Sequence, residues 1–204
     1  MKKLELRKYY LSKRKAISAE EISIKSQQIA DLFFDNFDLS RIKCLHIFLP
    51  VTKHNEIDTW LIIRHIKSFS NAGWVQNPAS VRVEPINIVI PKIIPEKFEL
   101  EHYLFDEKKL IENSWGILEP SGENQKKILP EQIDLVIIPL LIFDINGNRV
   151  GYGKGFYDRF LQQCRPETLK IGLCLEEPIE TIEDTNKFDI KMNFCITPNK
   201  IYRF

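Results

Sequence analysis

Residues 133–143, IDLVIIPLLIF, and residues 147–164, GNRVGYGKGFYDRFLQQC, decide how this chain is read. The first stretch is an apolar run with Val136, Ile137 and Ile138 at its centre, closed by Pro139, as a buried strand requires. Asp144-Ile-Asn-Gly-Asn148 is turn chemistry, and Asn146-Gly147 is its strongest hairpin or turn signal. Three glycines then stand at alternate positions, Gly151, Gly153 and Gly155, with Lys154 between the last two. From Tyr157 onward, Phe160, Leu161 and Cys164 recur at i, i+3, i+4 and i+7, one face of a helix. The pattern is strand, glycine-rich loop, helix, with Arg149 and Lys154 supplying charge. Glycines let backbone N–H groups approach an anion, and a helix N-terminus adds its unpaired donors and positive dipole end. A tight turn with glycines for packing fits the same residues. Neither general nucleotide fingerprint is met: Gly155 and Phe156 stand where a Walker A loop needs Ser or Thr, and the dinucleotide motif wants a small residue at Phe156.

Outward from this stretch, residues 3–15 read as a strongly basic helix. Ser18-Ala-Glu-Glu21 is a capping box that opens a second helix. Residues 44–49 form a short strand ended by Pro50, and Glu56-Ile-Asp-Thr-Trp-Leu leads into a helix reaching about Phe69. Residues 70–85 read as a connection. Residues 86–94 are a strand punctuated by Pro91, and residues 98–104 alternate as an edge strand. Residues 106–113 read as a short helix or turn, residues 115–120 as a shaped loop, and residues 170–175 and 194–197 as strands. Strands separated by helical patterns argue an α/β fold: one three-layer domain over residues 1–204, with a mostly parallel sheet and helices on both faces. Ligands gather at the carboxyl ends of such strands.

A length of 204 residues allows a full core, burying roughly 70% of the unfolded surface. The net charge of +1 gives no global attraction to nucleic acid or acidic membranes, so none is expected as a partner. Cys44, Cys164, Cys174 and Cys195 show no metal spacing and read as small hydrophobes in a reducing compartment. The charged N-terminus lacks the apolar core of a signal peptide, and no run approaches a membrane span. The expectation is a cytoplasmic monomer. His46, His54, His65 and His102 are not paired at metal spacing; His46 reads as a satisfied core or sheet residue, and His54, beside Glu56, as a side chain that could reach a substrate.

Pro139-x-x-x-Phe143-Asp-x-x-Gly147-x-Arg-x-Gly151-x-Gly-x-Gly155-x-Tyr-Asp158 resembles the signature of the 5-formyltetrahydrofolate cyclo-ligase (5,10-methenyltetrahydrofolate synthetase) family. Lys3-x-x-x-Arg7, Arg14, Ser26, Glu56-Ile-Asp-Thr59, Trp115-Gly-Ile-x-Glu-Pro120 and the Asp189 segment agree in order. The resemblance implies ATP- and Mg²⁺-dependent closure of 5-formyltetrahydrofolate to 5,10-methenyltetrahydrofolate through phosphorylation of the formyl oxygen. It also implies the site residues. Lys3, Leu4, Glu5, Leu6 and Arg7, together with Arg149, Val150, Gly151, Tyr152, Gly153, Lys154, Gly155, Phe156 and Tyr157, would hold ATP. Lys154 and Arg149 would be catalytic. Leu49, Glu56, Trp115 and residues Tyr152 to Phe156 would border the folate, and Asp158 and Asp189 would serve the metal.

Each of these residues also has a plainer reading. Asp158 in a first helical turn stabilises the helix dipole by ~0.3–1 kcal/mol without a metal. Lys3 and Arg7 share a face at i, i+4 on a helix so basic that a solvated face is the stronger expectation. Glu56 equally suits a helix N-terminus, Trp115 a core or loop plug, and Tyr157 packing beside Phe160. Two other functions suit the same architecture: a non-catalytic folate or nucleotide binder with a regulatory role, and a sugar-phosphate isomerase or transferase.

Overall fold

The computed structural model describes residues 1–72, 85–121 and 124–204. Two helices come first, α1 (Lys3–Lys15) and α2 (Ala19–Asn36), the latter started by Ser18, whose side chain accepts from the Glu21 N–H at 3.1 Å. Then follow β1 (Cys44–His46), α3 (Trp60–Ala72), β2 (Asn87–Ile94), β3 (Glu99–Leu104), β4 (Leu110–Glu112), β5 (Leu118–Pro120) and β6 (Leu135–Pro139). The last third contributes β7 (Ile142–Phe143), β8 (Arg149–Val150), α4 (Phe156–Gln163), β9 (Leu169–Leu173), β10 (Phe194–Ile196) and β11 (Ile201–Arg203).

Seven strands form the main sheet in the order β11-β10-β9-β6-β1-β2-β3. The five inner strands are parallel, and β3 and β11 close the edges antiparallel. Alternation along β6 sorts the two faces. Leu135 and Ile137 pack with Ile29 and Phe33 of α2 and Ile62, Ile63 and Ile66 of α3, whereas Val136 and Ile138 pack with Phe160 and Leu161 of α4. The mostly parallel sheet therefore carries helices on both faces, as expected. From β1 the chain winds through α3 to β2, and from β6 through α4 to β9 on the other side. The strand order reverses between β1 and β6, the position where open α/β sheets form a crevice.

Several local expectations change. Residues 133–143 are two strands, not one: β6 ends at Pro139, and β7 turns away to pair with β8 in a separate hairpin. The turn is built by Gly147 at φ +80° and by the buried Asp144 carboxylate, which accepts from the N–H groups of Asn146 and Asn148, each at 3.0 Å. The glycine loop thus hangs from a ribbon rather than from the central strand. Pro91 does not end its strand. Its ring nitrogen faces the side on which β1 has already stopped, so no ladder bond is lost. Residues 106–120 form a 3-10 turn and the small β4–β5 hairpin rather than a turn and a loop, and β11 had no signal long enough to read. Of the expected connection at 70–85, residues through Ala72 belong to α3, and residues 73–84 lie outside the described residues.

The four cysteines are free, with Cys44, Cys174 and Cys195 buried and Cys164 half-buried. No helix among the described residues is long and apolar enough to cross a membrane.

Candidate functional site

A cavity of about 420 Å³ opens at the carboxyl ends of β1, β2 and β6. Its apolar wall comes from Phe48, Leu49 and Val51 after β1, Pro91 and Ile93 of β2, and Trp115, Ile117 and Leu118 around the β4–β5 hairpin. Its polar wall comes from Lys3 and Arg7 of α1 and from residues 151–158. Trp115 remains 43% exposed and so borders the cavity rather than plugging the core.

The glycine loop presents open backbone. Gly153 and Gly155 adopt φ of +91° and +70°, a region costly for residues with a Cβ. Among the described residues no hydrogen bond takes up the N–H groups of Tyr152, Gly153, Lys154 or Gly155, and Gly155 caps α4 without a side-chain bond. The first-turn donors of α4 add to this unspent set. Lys154 is exposed, and its ammonium has no partner among the described residues. The Lys154 carbonyl is pinned instead, accepting from Arg159 Nη2 at 2.6 Å.

Beneath the loop the charges pair. Arg149, 9% exposed, gives one terminal nitrogen to Asp158 Oδ1 at 2.6 Å and the other to the Ile190 carbonyl. Burial lowers its pKa, and Asp158 opposes that shift. Lys3 reaches Asp189 Oδ2 at 2.5 Å, and Arg7 Nε holds the Gly151 carbonyl at 2.9 Å. Lys3 and Arg7 therefore face inward, and the solvated-face expectation fails because α1 docks on β7 and β8 through this face. Glu56 lines the cavity with one oxygen on the Val51 N–H at 2.8 Å and the other on the Tyr152 hydroxyl.

Fifteen of the expected site residues thus converge on one cavity: Lys3, Arg7, Leu49, Glu56, Trp115, Arg149, Gly151, Tyr152, Gly153, Lys154, Gly155, Phe156, Tyr157, Asp158 and Asp189. Four do not reach it. Leu4 points outward at 73% exposure, Glu5 caps α1 through the Lys2 N–H, and Leu6 and Val150 are buried where α1 packs on the ribbon. His54 is exposed and does not line the cavity. His46 is buried, yet neither ring nitrogen has a partner among the described residues, which corrects the satisfied reading; His102 lies beside it, ring centroids 5.1 Å apart.

Two residues that stand in the quoted motifs were given no role in the site by sequence reasoning. Glu119 lines the cavity, accepts from the Ile93 N–H at 2.9 Å, and has its pKa raised by burial. Arg14, 6% exposed, binds the Tyr152 hydroxyl. The signal for Glu119 was a carboxylate embedded in an apolar motif; Arg14 was hidden in a run of cations. Among the described residues no three His, Cys, Asp or Glu side chains are grouped to hold a metal. Asp158 and Asp189 each keep one oxygen clear of protein partners there, which fits Mg²⁺ held by one or two carboxylates and completed by phosphate oxygens and water.

Fold and site together define an α/β protein with a glycine loop of open backbone N–H groups beside a mainly apolar crevice. The model of the 5-formyltetrahydrofolate cyclo-ligase family matches residues 1–198, and the chain belongs to that family. A Schizosaccharomyces pombe protein named "Probable 5-formyltetrahydrofolate cyclo-ligase" is 35% identical over 133 residues, covering 57% of this chain and 64% of that one. A Haemophilus influenzae 5-formyltetrahydrofolate cyclo-ligase is 30% identical over 132 residues, covering 62% and 65%. The chain thus spans just under two thirds of the length of these curated relatives. The NMR structure of Aquifex aeolicus 5,10-methenyltetrahydrofolate synthetase superposes with a TM-score of 0.72 at 24% identity, covering 100% of this chain and 93% of that one, a likeness of fold.

Proposed function

We propose that this chain, as one domain, is a cytoplasmic enzyme that closes 5-formyltetrahydrofolate to 5,10-methenyltetrahydrofolate, consuming ATP and releasing ADP and phosphate. One observation carries the reading: backbone donors and a lysine that have no partner among the described residues meet an apolar wall and the Glu56 carboxylate in a single cavity. A formyl oxygen leaves poorly, so it must first accept the γ-phosphoryl group. Attack by the neighbouring folate nitrogen then forms the C–N bond, and phosphate departs with the oxygen.

Such chemistry needs positioning and charge neutralisation more than a protein nucleophile. In this reading the N–H groups of residues 152–155 and the α4 N-terminus hold the triphosphate, with Lys3 and Arg7 flanking it. Lys154, lacking a protein partner among the described residues, neutralises charge on the transferred group. Arg149 acts from below, fixing Asp158 and, through the Ile190 carbonyl, the segment that leads into β10. Asp158 and Asp189 would hold Mg²⁺, which supplies Lewis-acid charge neutralisation when bound. Leu49, Trp115 and Phe156 enclose the pterin and exclude water, and Glu56 accepts a hydrogen bond from it.

The test is turnover. With 5-formyltetrahydrofolate, ATP and Mg²⁺, absorbance of the methenyl product should rise in step with ADP release. Binding of both ligands without product would instead make the chain a regulatory binder, and ATP-independent conversion of a sugar phosphate would overturn the reading altogether.

A further inference from the structure

Arg14 lies two turns beyond Arg7 on the inward face of α1, buried and without a carboxylate partner among the described residues. A guanidinium in such a place is uncommon. One terminal nitrogen donates to the Leu140 carbonyl, just past β6, at 2.7 Å, and the other to the Tyr152 hydroxyl at 2.9 Å. Arginine only donates, so the phenol accepts from it and turns its own proton onward to Glu56 Oε1. Glu56 Oε2 accepts from the Val51 N–H. Asn55, in the left-handed region at φ +51°, ties the neighbouring backbone to the same helix, its Nδ2 donating to the carbonyls of Arg14 at 3.1 Å and Ile17 at 2.9 Å.

Tyr152 belongs to both halves of the cavity. Its hydroxyl touches Glu56 on the folate side. Its backbone sits between Gly151, whose carbonyl Arg7 holds, and Gly153, which lies against the Arg7 guanidinium. The chain Arg14–Tyr152–Glu56 is directional and leaves little room for Glu56 to adopt one position while the loop adopts another.

We infer that Arg14 is a positioning residue acting through Tyr152, locking Glu56 and the glycine loop into one arrangement so that a ligand ordering either side favours binding at the other. The inference rests on the folate and nucleotide reading of the cavity. It makes the coupling reciprocal: nucleotide should tighten folate by the factor by which folate tightens nucleotide. The occupants supply the ordering, and the Tyr152 hydroxyl transmits it.

The experiment is calorimetric titration of the full chain with 5-formyltetrahydrofolate, with and without a non-hydrolysable ATP analogue and Mg²⁺. In the parent protein the analogue should tighten folate about fivefold or more, within the usual range for coupled sites. In Tyr152→Phe, which keeps the ring, the factor should fall below about twofold while both ligands still bind. Arg14→Gln should lose coupling likewise, and the double variant should lose no more than Tyr152→Phe alone, whereas two independent structural losses would add. Independent binding in the parent, or undiminished coupling in Tyr152→Phe, overturns the inference and leaves the proposed reaction standing. A parent protein that binds no folate overturns both.

Discussion

Lys154 and the buried histidines show two uses of a single side chain. Lys154 has no protein partner among the described residues, so its removal costs the fold nothing it uses. Lys154→Ala should slow turnover at least about tenfold, roughly 1.4 kcal/mol of transition-state stabilisation, with an unchanged urea midpoint; unaltered steady-state kinetics would remove it from the reaction. His102 is the opposite case. Burial lowers its pKa from 6.5 to about 4, and Lys127 adds to that shift. Its folded pKa lies below the unfolded value, so its share of stability is present above pH 6.5 and is lost as acidification carries the pH toward 4. At pH 5 the loss is about 2 kcal/mol. His46, also held neutral by burial, shifts in the same direction. Urea unfolding at pH 7.5 and pH 5 should show this loss in the parent and a smaller one in His102→Phe; equal pH slopes would exclude His102. The loop glycines and Lys154 were legible because their spacing has a local meaning. The inward turn of Lys3, Arg7 and Arg14 was not, because α1 carries cations around its circumference and only docking selects a face.

At the scale of elements, α1 and the glycine loop act as a pair. A Cβ on Gly153 would lie 2.8 Å from Arg7 Cζ, and the residue already sits at φ +91°. Gly153→Ala should therefore cost about 1–2 kcal/mol in unfolding free energy from backbone strain, and it should weaken nucleotide binding by displacing Arg7. Gly151 is the control, since a Cβ there meets nothing within 4 Å. Similar urea midpoints and nucleotide affinities for the two alanine variants would break the link. The same pair shows where element reading stops. The strand before the loop was visible as a hydrophobic run, but its division into β6 and a separate ribbon was not. That division depends on Asp144 being buried and spending its oxygens on the turn, which is a tertiary fact. The β4–β5 hairpin was missed for a related reason: strands of three residues carry too little alternation to register.

Across the whole molecule, a mostly parallel sheet with helices on both faces was legible in the succession of strands and helices, but the strand order was not, and the cavity sits beside the point where that order reverses. Ligands that occupy the cavity in the folded chain alone must raise its stability. At 100 times the dissociation constant each contributes about 2.7 kcal/mol. For a chain of this size that is a rise of about 5–10 °C in the melting midpoint. Differential scanning calorimetry with 5-formyltetrahydrofolate or the ATP analogue should show this rise; an unmoved midpoint would mean that the folded chain does not bind the ligand in preference to the unfolded one.

The sulfur atoms extend the consequence. Cys174, just past β9, and Cys195, within β10, are wholly buried, and burial pushes the Cys174 thiol up to about 12. Neither can meet a disulfide reagent until that flank of the sheet parts, since reaction requires an exposed thiolate. Under native conditions their slow modification becomes a clock for how often the strands separate, and a bound ligand should make it run slower.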